Sequence, residues 1–173
     1  TYRDGIGKND VWYMNMDFII SDTSTNPAEA FAFWFYADTN NTGYQPSDGY
    51  GIEFDHSNNI VKLVDVTDGT RLVLDSFEIS IKDNVTNEPR RNYISVNWSN
   101  GYIQANINDE SAIDYQFEFD DLNVENRGLM FSAKTGSTEY AEHAVDNVRI
   151  VTPSDFLFKS AIDQFDNRGI YTG

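Results

Sequence analysis

The 173-residue chain contains no cysteine, which excludes a disulfide framework, a cysteine-ligated zinc site and a cysteine nucleophile. It has no apolar run near the roughly 20 residues that a membrane-spanning helix needs. Basic residues are few, since 12 Lys and Arg stand against 28 Asp and Glu, a formal charge of −16. This charge argues against nucleic acid or an anionic membrane as partner. We therefore expect no nucleic-acid binding and no membrane insertion.

Stretches rich in Ala, Leu and Lys, typical of helices, are also missing, whereas 12 Phe, 10 Tyr and 3 Trp are present. This composition favours β structure. The lack of cysteine and the start without Met fit a mature or excised fragment of an extracellular or cell-surface protein. We expect an N-terminal arm (1–10), one domain (11–153) and a C-terminal tail with a short helix or linker (154–173).

Alternation of apolar and polar residues with a period of two recurs along the chain and predicts about ten to twelve short strands. Residues 31–36 are apolar on both faces, which is typical of a central strand. Two hairpins are predicted, 60–66 with 71–75 around Asp68-Gly69, and 93–98 with 102–108 around Asn100-Gly101. This pattern indicates an all-β protein, an antiparallel β-sandwich or jelly roll.

One predicted strand carries the most informative polar residues. Strand alternation places Glu53 and Asp55 on the same face, about 7 Å apart along the strand. His56, Ser57, Asn58 and Asn59 follow at once. The oxygen atoms of such a cluster suit a calcium ion, and the polar loop nearby suits a hydroxyl-rich ligand. The alternative is an acidic pair compensated by solvent or by a nearby arginine, because adjacent carboxylates repel each other.

Residues 11–151 resemble the concanavalin A-like lectin/glucanase superfamily, and within it the L-type (legume-like) lectins. Three stretches carry the resemblance, in the family's order and spacing: AEAFAFWF (28–35), GYGIEFDHSNN (49–59) and LMFSAKTGSTEYAEHAVDNVRI (129–150). The resemblance implies a concanavalin A-like jelly roll. It also implies carbohydrate as the partner, with calcium beside the sugar.

Carried over residue by residue, the resemblance implies a set of site residues. The implied calcium ligands are Glu53, Asp55, the Ser57 carbonyl and Asn59, with Asp65 closing the shell. The implied sugar contacts are Glu29, Tyr44, Asp48, Gly49, Asn58, Thr135, Gly136 and Ser137. Glu29-Ala30 stands where these lectins have a sugar-binding Asp followed by Gly. Tyr44 is the aromatic residue best placed to stack on a sugar, because it lies in a loop between Gly43 and Pro46.

The glucanases of this superfamily need a second glutamate after the Glu-x-Asp pattern, as the acid of a retaining mechanism. Ser57 and Asn58 occupy those positions here, so we expect no enzyme activity. The sequence therefore predicts a non-catalytic, calcium-dependent carbohydrate-binding domain, such as a lectin, an adhesin or a carbohydrate-binding module. The alternative is a structural subunit of a filament, surface layer or virion that self-associates through its terminal segments.

Overall fold

A computed structural model describes residues 11–22, 30–38, 43–55, 58–79, 91–118, 128–134 and 141–152, with only the backbone at 20–22 and 141–143. These residues form ten strands. In chain order they are β1 (Trp12–Asp22), β2 (Ala30–Ala37), β3 (Gly49–Asp55), β4 (Ile60–Thr67), β5 (Thr70–Glu78), β6 (Asn92–Ser99), β7 (Tyr102–Ile107), β8 (Glu110–Gln116), β9 (Gly128–Lys134) and β10 (Ala141–Val151).

The strands form two five-stranded sheets. The first sheet has the order β10-β1-β6-β7-β8, and the second has the order β5-β4-β3-β2-β9. Every neighbouring pair is antiparallel. The predicted antiparallel β-sandwich is thereby confirmed. Among the described residues no helix is long and apolar enough to cross a membrane. The predicted N-terminal arm and C-terminal tail lie outside the described residues.

Aromatic side chains fill the space between the two sheets. Along β1, the inward residues Trp12, Met14, Met16 and Phe18 are buried, while the alternate residues are half-buried. Trp12 stacks on Trp98 of β6 with ring centroids 6.1 Å apart. Burial of such large side chains is the main stabilising contribution to a sandwich of this size.

Strand β2 is buried on both faces, as its sequence predicted. Phe31, Phe33 and Phe35 point into the sandwich core. Ala32 and Trp34 point to the outer face of the second sheet, where they form a smaller apolar cluster with Val64 and Val66. An outer face of a sandwich is normally wet, so this cluster needs its own cover.

Residues 43–48, which we call the 43–48 loop, supply that cover, and Tyr44 packs against the small cluster. Hydrogen bonds fix the loop at its C-terminal end. The Gly69 N–H donates to the Ser47 carbonyl at 2.7 Å, and the Asp38 N–H donates to the Asp48 carbonyl at 2.9 Å. The loop is therefore tied both to the end of β2 and to the β4–β5 turn.

Candidate functional site

An open pocket with a volume of about 360 Å³ lies on the outer face of the second sheet. Strand alternation creates it, because Glu53 and Asp55 of β3 share this face with Lys62, which pairs with Glu53 in the β3–β4 register. We call it the ion-pair pocket and define it by six of its lining residues: Tyr44, Glu53, Asp55, Asn58, Lys62 and Arg71.

Glu53 is almost fully buried, at 5% exposure, and is held by two donors. Arg71 of β5 forms a short ion pair with its Oε1, and the Tyr44 hydroxyl donates to its Oε2 at 2.9 Å. A buried carboxylate requires such partners, because burial without them costs several kcal/mol. The carboxylate is therefore fixed in one orientation at the pocket wall.

Asp55 is the second buried carboxylate, and it has its own partners. Lys62 Nζ lies 2.6 Å from its Oδ2. Asn58 Nδ2 lies 3.0 Å from each carboxylate oxygen, and the Asn58 N–H donates to Oδ1 at 3.3 Å. Asn58 thus binds Asp55 through both its side chain and its backbone N–H. The acidic pair is compensated by Lys62 and Arg71, one cation for each carboxylate.

Tyr44 joins the pocket to the apolar cluster below it. Its ring packs edge-on against Trp34, with centroids 6.0 Å apart and an interplanar angle of 82°. Burial and the neighbouring Glu53 carboxylate raise the pKa of Tyr44 above its ordinary value. The hydroxyl therefore keeps its proton and acts as a donor to Glu53.

The calcium hypothesis can be compared with this geometry. Calcium takes six to eight oxygen ligands. Among the described residues no group of three His, Cys, Asp or Glu side chains is arranged to hold a metal ion. A cation between Glu53 and Asp55 would also compete with Arg71 and Lys62 for the same oxygens. As arranged, these side chains form an ion-paired site and do not fit a calcium ion.

The structure does not bring all of the predicted site residues together. Asp65 lies on the opposite face of β4 from Lys62, since the two are three positions apart on a regularly paired strand. It therefore does not close a shell around Glu53 and Asp55. Asn59 has a positive φ of 53° and lines a neighbouring depression together with Asn58, Glu78 and Ile79.

Two further predicted contacts, Asp48 and Gly49, have a structural role in the described part of the chain. Asp48 accepts a hydrogen bond from the Asp68 N–H at 3.0 Å, which fixes the β4–β5 turn. Gly49 has a φ of 139°, and a Cβ there would lie 2.8 Å from Ala37 Cα, so only glycine fits. The remaining predicted site residues lie outside the described residues: Glu29, Ser57, Thr135, Gly136 and Ser137.

The sequence analysis did not identify Lys62 and Arg71 as partners of the two carboxylates, although a signal was present. In the hairpin around Asp68-Gly69, Val66 is opposite Arg71. Because Val66 lies on the outer face, Arg71 lies there too. Counting across the β3–β4 loop pairs Glu53 with Lys62. Both pairings follow from hairpin register, once the positions of the turns are known.

The pocket offers binding chemistry. Its carboxylates accept hydrogen bonds, its Lys, Arg and Asn side chains donate them, and Tyr44 adds an aromatic ring. Asn58, at one of the two positions where a glucanase has its second glutamate, donates its amide N–H to Asp55 and cannot transfer a proton as an acid.

Comparison with solved structures identifies the fold. The chain matches no protein-family model and no curated protein sequence. Among solved structures it is similar to the carbohydrate-binding module CBM66 from Bacillus subtilis, at 18% identity and a TM-score of 0.59 over 82% of this chain and 74% of the other.

Two lectin structures are similar to a comparable degree. The Emp47p carbohydrate recognition domain matches at 11% identity and a TM-score of 0.63, over 86% of this chain and 74% of that one. The VIP36 lumenal domain in its Ca²⁺- and mannose-bound form matches at 15% identity and a TM-score of 0.60, over 86% and 70%. Likeness at this level of identity establishes architecture, and the predicted architecture is confirmed. The chain has the concanavalin A-like sandwich fold.

Proposed function

We propose that this chain is a non-catalytic carbohydrate-binding domain, and that its ligand site is the ion-pair pocket. The observation that carries the proposal is the pair of buried carboxylates, Glu53 and Asp55, each held in place by a cation and one further donor. Such an array presents fixed acceptors beside fixed donors in an open depression.

A saccharide matches this array because each hydroxyl both donates and accepts a hydrogen bond. Neighbouring hydroxyls bind well to a carboxylate or amide flanked by a cation. The Tyr44 ring supplies apolar surface for the C–H groups of a sugar ring. Because the charged groups are already paired, the pocket is preorganised and little side-chain entropy is lost on binding.

The structural relatives support the same conclusion. One is described as a carbohydrate-binding module and another as bound to calcium and mannose. For this chain, carbohydrate binding is a proposal that agrees with those descriptions, and an extracellular or cell-surface location is a proposal that rests on the sequence. The alternative of a structural subunit stays a prediction, because it depends on residues 1–10 and 154–173, which are outside the described part of the chain.

The pocket can be tested with a glycan array followed by calorimetry on the best ligand. Asp55→Asn removes the charge that pairs with Lys62 while keeping the side-chain shape. We expect at least about tenfold weaker binding, since hydrogen bonds to charged groups contribute about 1.5–3 kcal/mol. Asp75→Asn is the matched control, because Asp75 lies on β5 away from the pocket and bonds only the Ser76 N–H in the described contacts. Wild-type affinity in Asp55→Asn, or no glycan binding at all, would contradict the proposal.

The sequence also predicts that binding depends on calcium, and the ion pairs of the pocket make this prediction testable. Calcium at Asp55 would have to displace Lys62, whose Nζ is 2.6 Å away. We expect the melting temperature of the wild type to be equal in CaCl₂ and in EDTA. Lys62→Met removes that competing cation, but Glu53 stays paired with Arg71, so we expect no calcium-induced rise in that variant either. A rise in the wild type that Asp55→Asn abolishes would show that calcium binds as the sequence predicted.

A further inference from the structure

A second surface, on the outer face of the first sheet, is separate from the ion-pair pocket. The inward side chains of β6 and β7, such as Ile94 and Ile103, are buried in the core. Six of the outward side chains form what we call the neutral face: Tyr93, Ser95, Asn97, Tyr102, Gln104 and Asn106. None of the six is charged, although charged residues make up 23% of the chain. Solvated sheet faces usually carry charge, so this composition points to a contact surface.

Strand register arranges these residues in two rows that cross the sheet. Asn97 is flanked by Tyr13 of β1 and Gln104 of β7. Ser95 is flanked by Asn15 and Asn106. Neighbouring strands are about 4.8 Å apart, so each row offers a hydrogen-bonding side chain at that interval across three strands. The face therefore suits an extended ligand that lies across the strands.

The tyrosine end of the face is held by hydrogen bonds. The Tyr13 and Tyr93 hydroxyls lie 3.0 Å apart, and Asn15 Nδ2 donates to the Tyr13 hydroxyl at 3.4 Å. Tyr93 is 37% exposed, so its ring remains accessible. The hydrogen bond with Tyr13 raises the pKa of Tyr93.

Charged groups occur at the margins and are partnered there. Arg91 bonds Asp17 at 3.2 Å and Asp146 at 3.1 Å. Asp114 of β8 accepts a hydrogen bond from the Tyr102 hydroxyl at 2.7 Å. The centre of the face is thus an uncharged area of amides, hydroxyls and aromatic rings, bordered by carboxylates.

We propose that the neutral face is a second binding site, which takes an uncharged polysaccharide chain laid across β1, β6 and β7. Amide side chains both donate and accept hydrogen bonds, as sugar hydroxyls do, and exposed tyrosine rings offer apolar faces to sugar C–H groups. A polyanion is excluded as the occupant, because no cation lies among the six residues and the chain carries −16. This site goes beyond the proposed function, since it uses the opposite sheet.

The test is a pull-down on insoluble neutral polysaccharides (cellulose, xylan and β-glucan), with pectin as a charged comparison. Measurements are made in the Asp55→Asn background, so that the contribution of the ion-pair pocket to retention is reduced and is the same with and without the substitutions on the neutral face. Asn97→Asp with Gln104→Glu replaces two amides by carboxylates of the same shape, which cannot donate and must lose water on binding. We expect retention on at least one neutral polysaccharide, reduced about tenfold or more by the double substitution.

Asn100→Asp is the matched control. It makes the same chemical change in the β6–β7 turn, at a φ of 50° that Asp tolerates, and we expect retention to be unchanged. No retention on any neutral polysaccharide, or equal retention with and without the double substitution, would overturn the proposal. Concentration-dependent dimerisation that the double substitution abolishes would also overturn it, because the occupant would then be a second copy of the chain.

Discussion

Arg71→Met is expected to destabilise the protein and to abolish binding in the ion-pair pocket. The substitution leaves Glu53 buried at 5% exposure without its cation, and only Tyr44 remains among the donors described above. Removing one partner of a buried pair typically costs about 3–5 kcal/mol. Since the Arg71 side chain is 34% exposed, solvent weakens the pair, and we expect a loss of about 2–3 kcal/mol by urea denaturation.

The double variant Glu53→Gln with Arg71→Met separates stability from binding. Without the buried charge, most of the lost stability should return, whereas binding should stay lost because the fixed carboxylate and guanidinium are gone. If Arg71→Met unfolds at the same urea concentration as the wild type, the buried ion pair does not have the role assigned to it. Recovery of binding in the double variant would contradict the role of the pair in ligand recognition.

Gly51→Ala is expected to destabilise the protein strongly, because the added methyl group overpacks the outer face of the second sheet. Gly51 pairs with Trp34 in the β2–β3 register, and a Cβ there would lie 2.6 Å from Trp34 Cζ3. Trp34 is fully buried, and its Nε1 donates to Ser132 Oγ at 2.7 Å, so its ring cannot move without losing that bond. Overpacking of this kind costs about 1–3 kcal/mol, and we expect a value near 3.

A thermal melt would show the effect as a fall of about 6–12 °C in Tm for a chain of this length. Gly69→Ala is the control, because a Cβ at Gly69 meets no atom within 4 Å and only its φ of 73° is unfavourable. That substitution should cost about 1–2 kcal/mol. Equal effects at the two glycines would show that the Trp34 ring does not restrict Gly51. In that case the packing beneath Tyr44 would need another explanation.

The strands could be predicted because their signal is local. Alternation in Trp12–Asp22 and in the β6–β7 hairpin places each side chain on one face or the other, whatever the rest of the chain does. Strand β2 was predicted to be central because it is apolar on both faces. It owes the burial of Trp34 to the 43–48 loop, a segment with no periodic signal. The path of that loop is set by contacts with Asp38, which follows β2, and with Gly69 in the β4–β5 turn, and period-two alternation encodes neither contact.

The candidate site could be predicted only in part, because alternation along one strand does not show which residues of other strands lie beside it. Glu53 and Asp55 are two positions apart on one strand, so their common face follows from the sequence alone. Their partners Lys62 and Arg71 come from the next two strands, and only the register of two hairpins brings them into the pocket. The family resemblance implied that calcium neutralises the two carboxylates, whereas in the structure the Lys62 and Arg71 side chains do so. Asp65 was assigned to the same group although strand alternation places it on the other face.

A saccharide that occupies the ion-pair pocket would change the surroundings of the residues that line it. The most direct measurement is amide chemical-shift mapping of the ¹⁵N-labelled protein, titrated with a short soluble oligosaccharide chosen from the glycan array. We expect the largest shifts at Tyr44, Asn58 and Arg71, with saturation at the calorimetric affinity. Shifts that saturate at residues elsewhere, while these three amides stay unchanged, would contradict it.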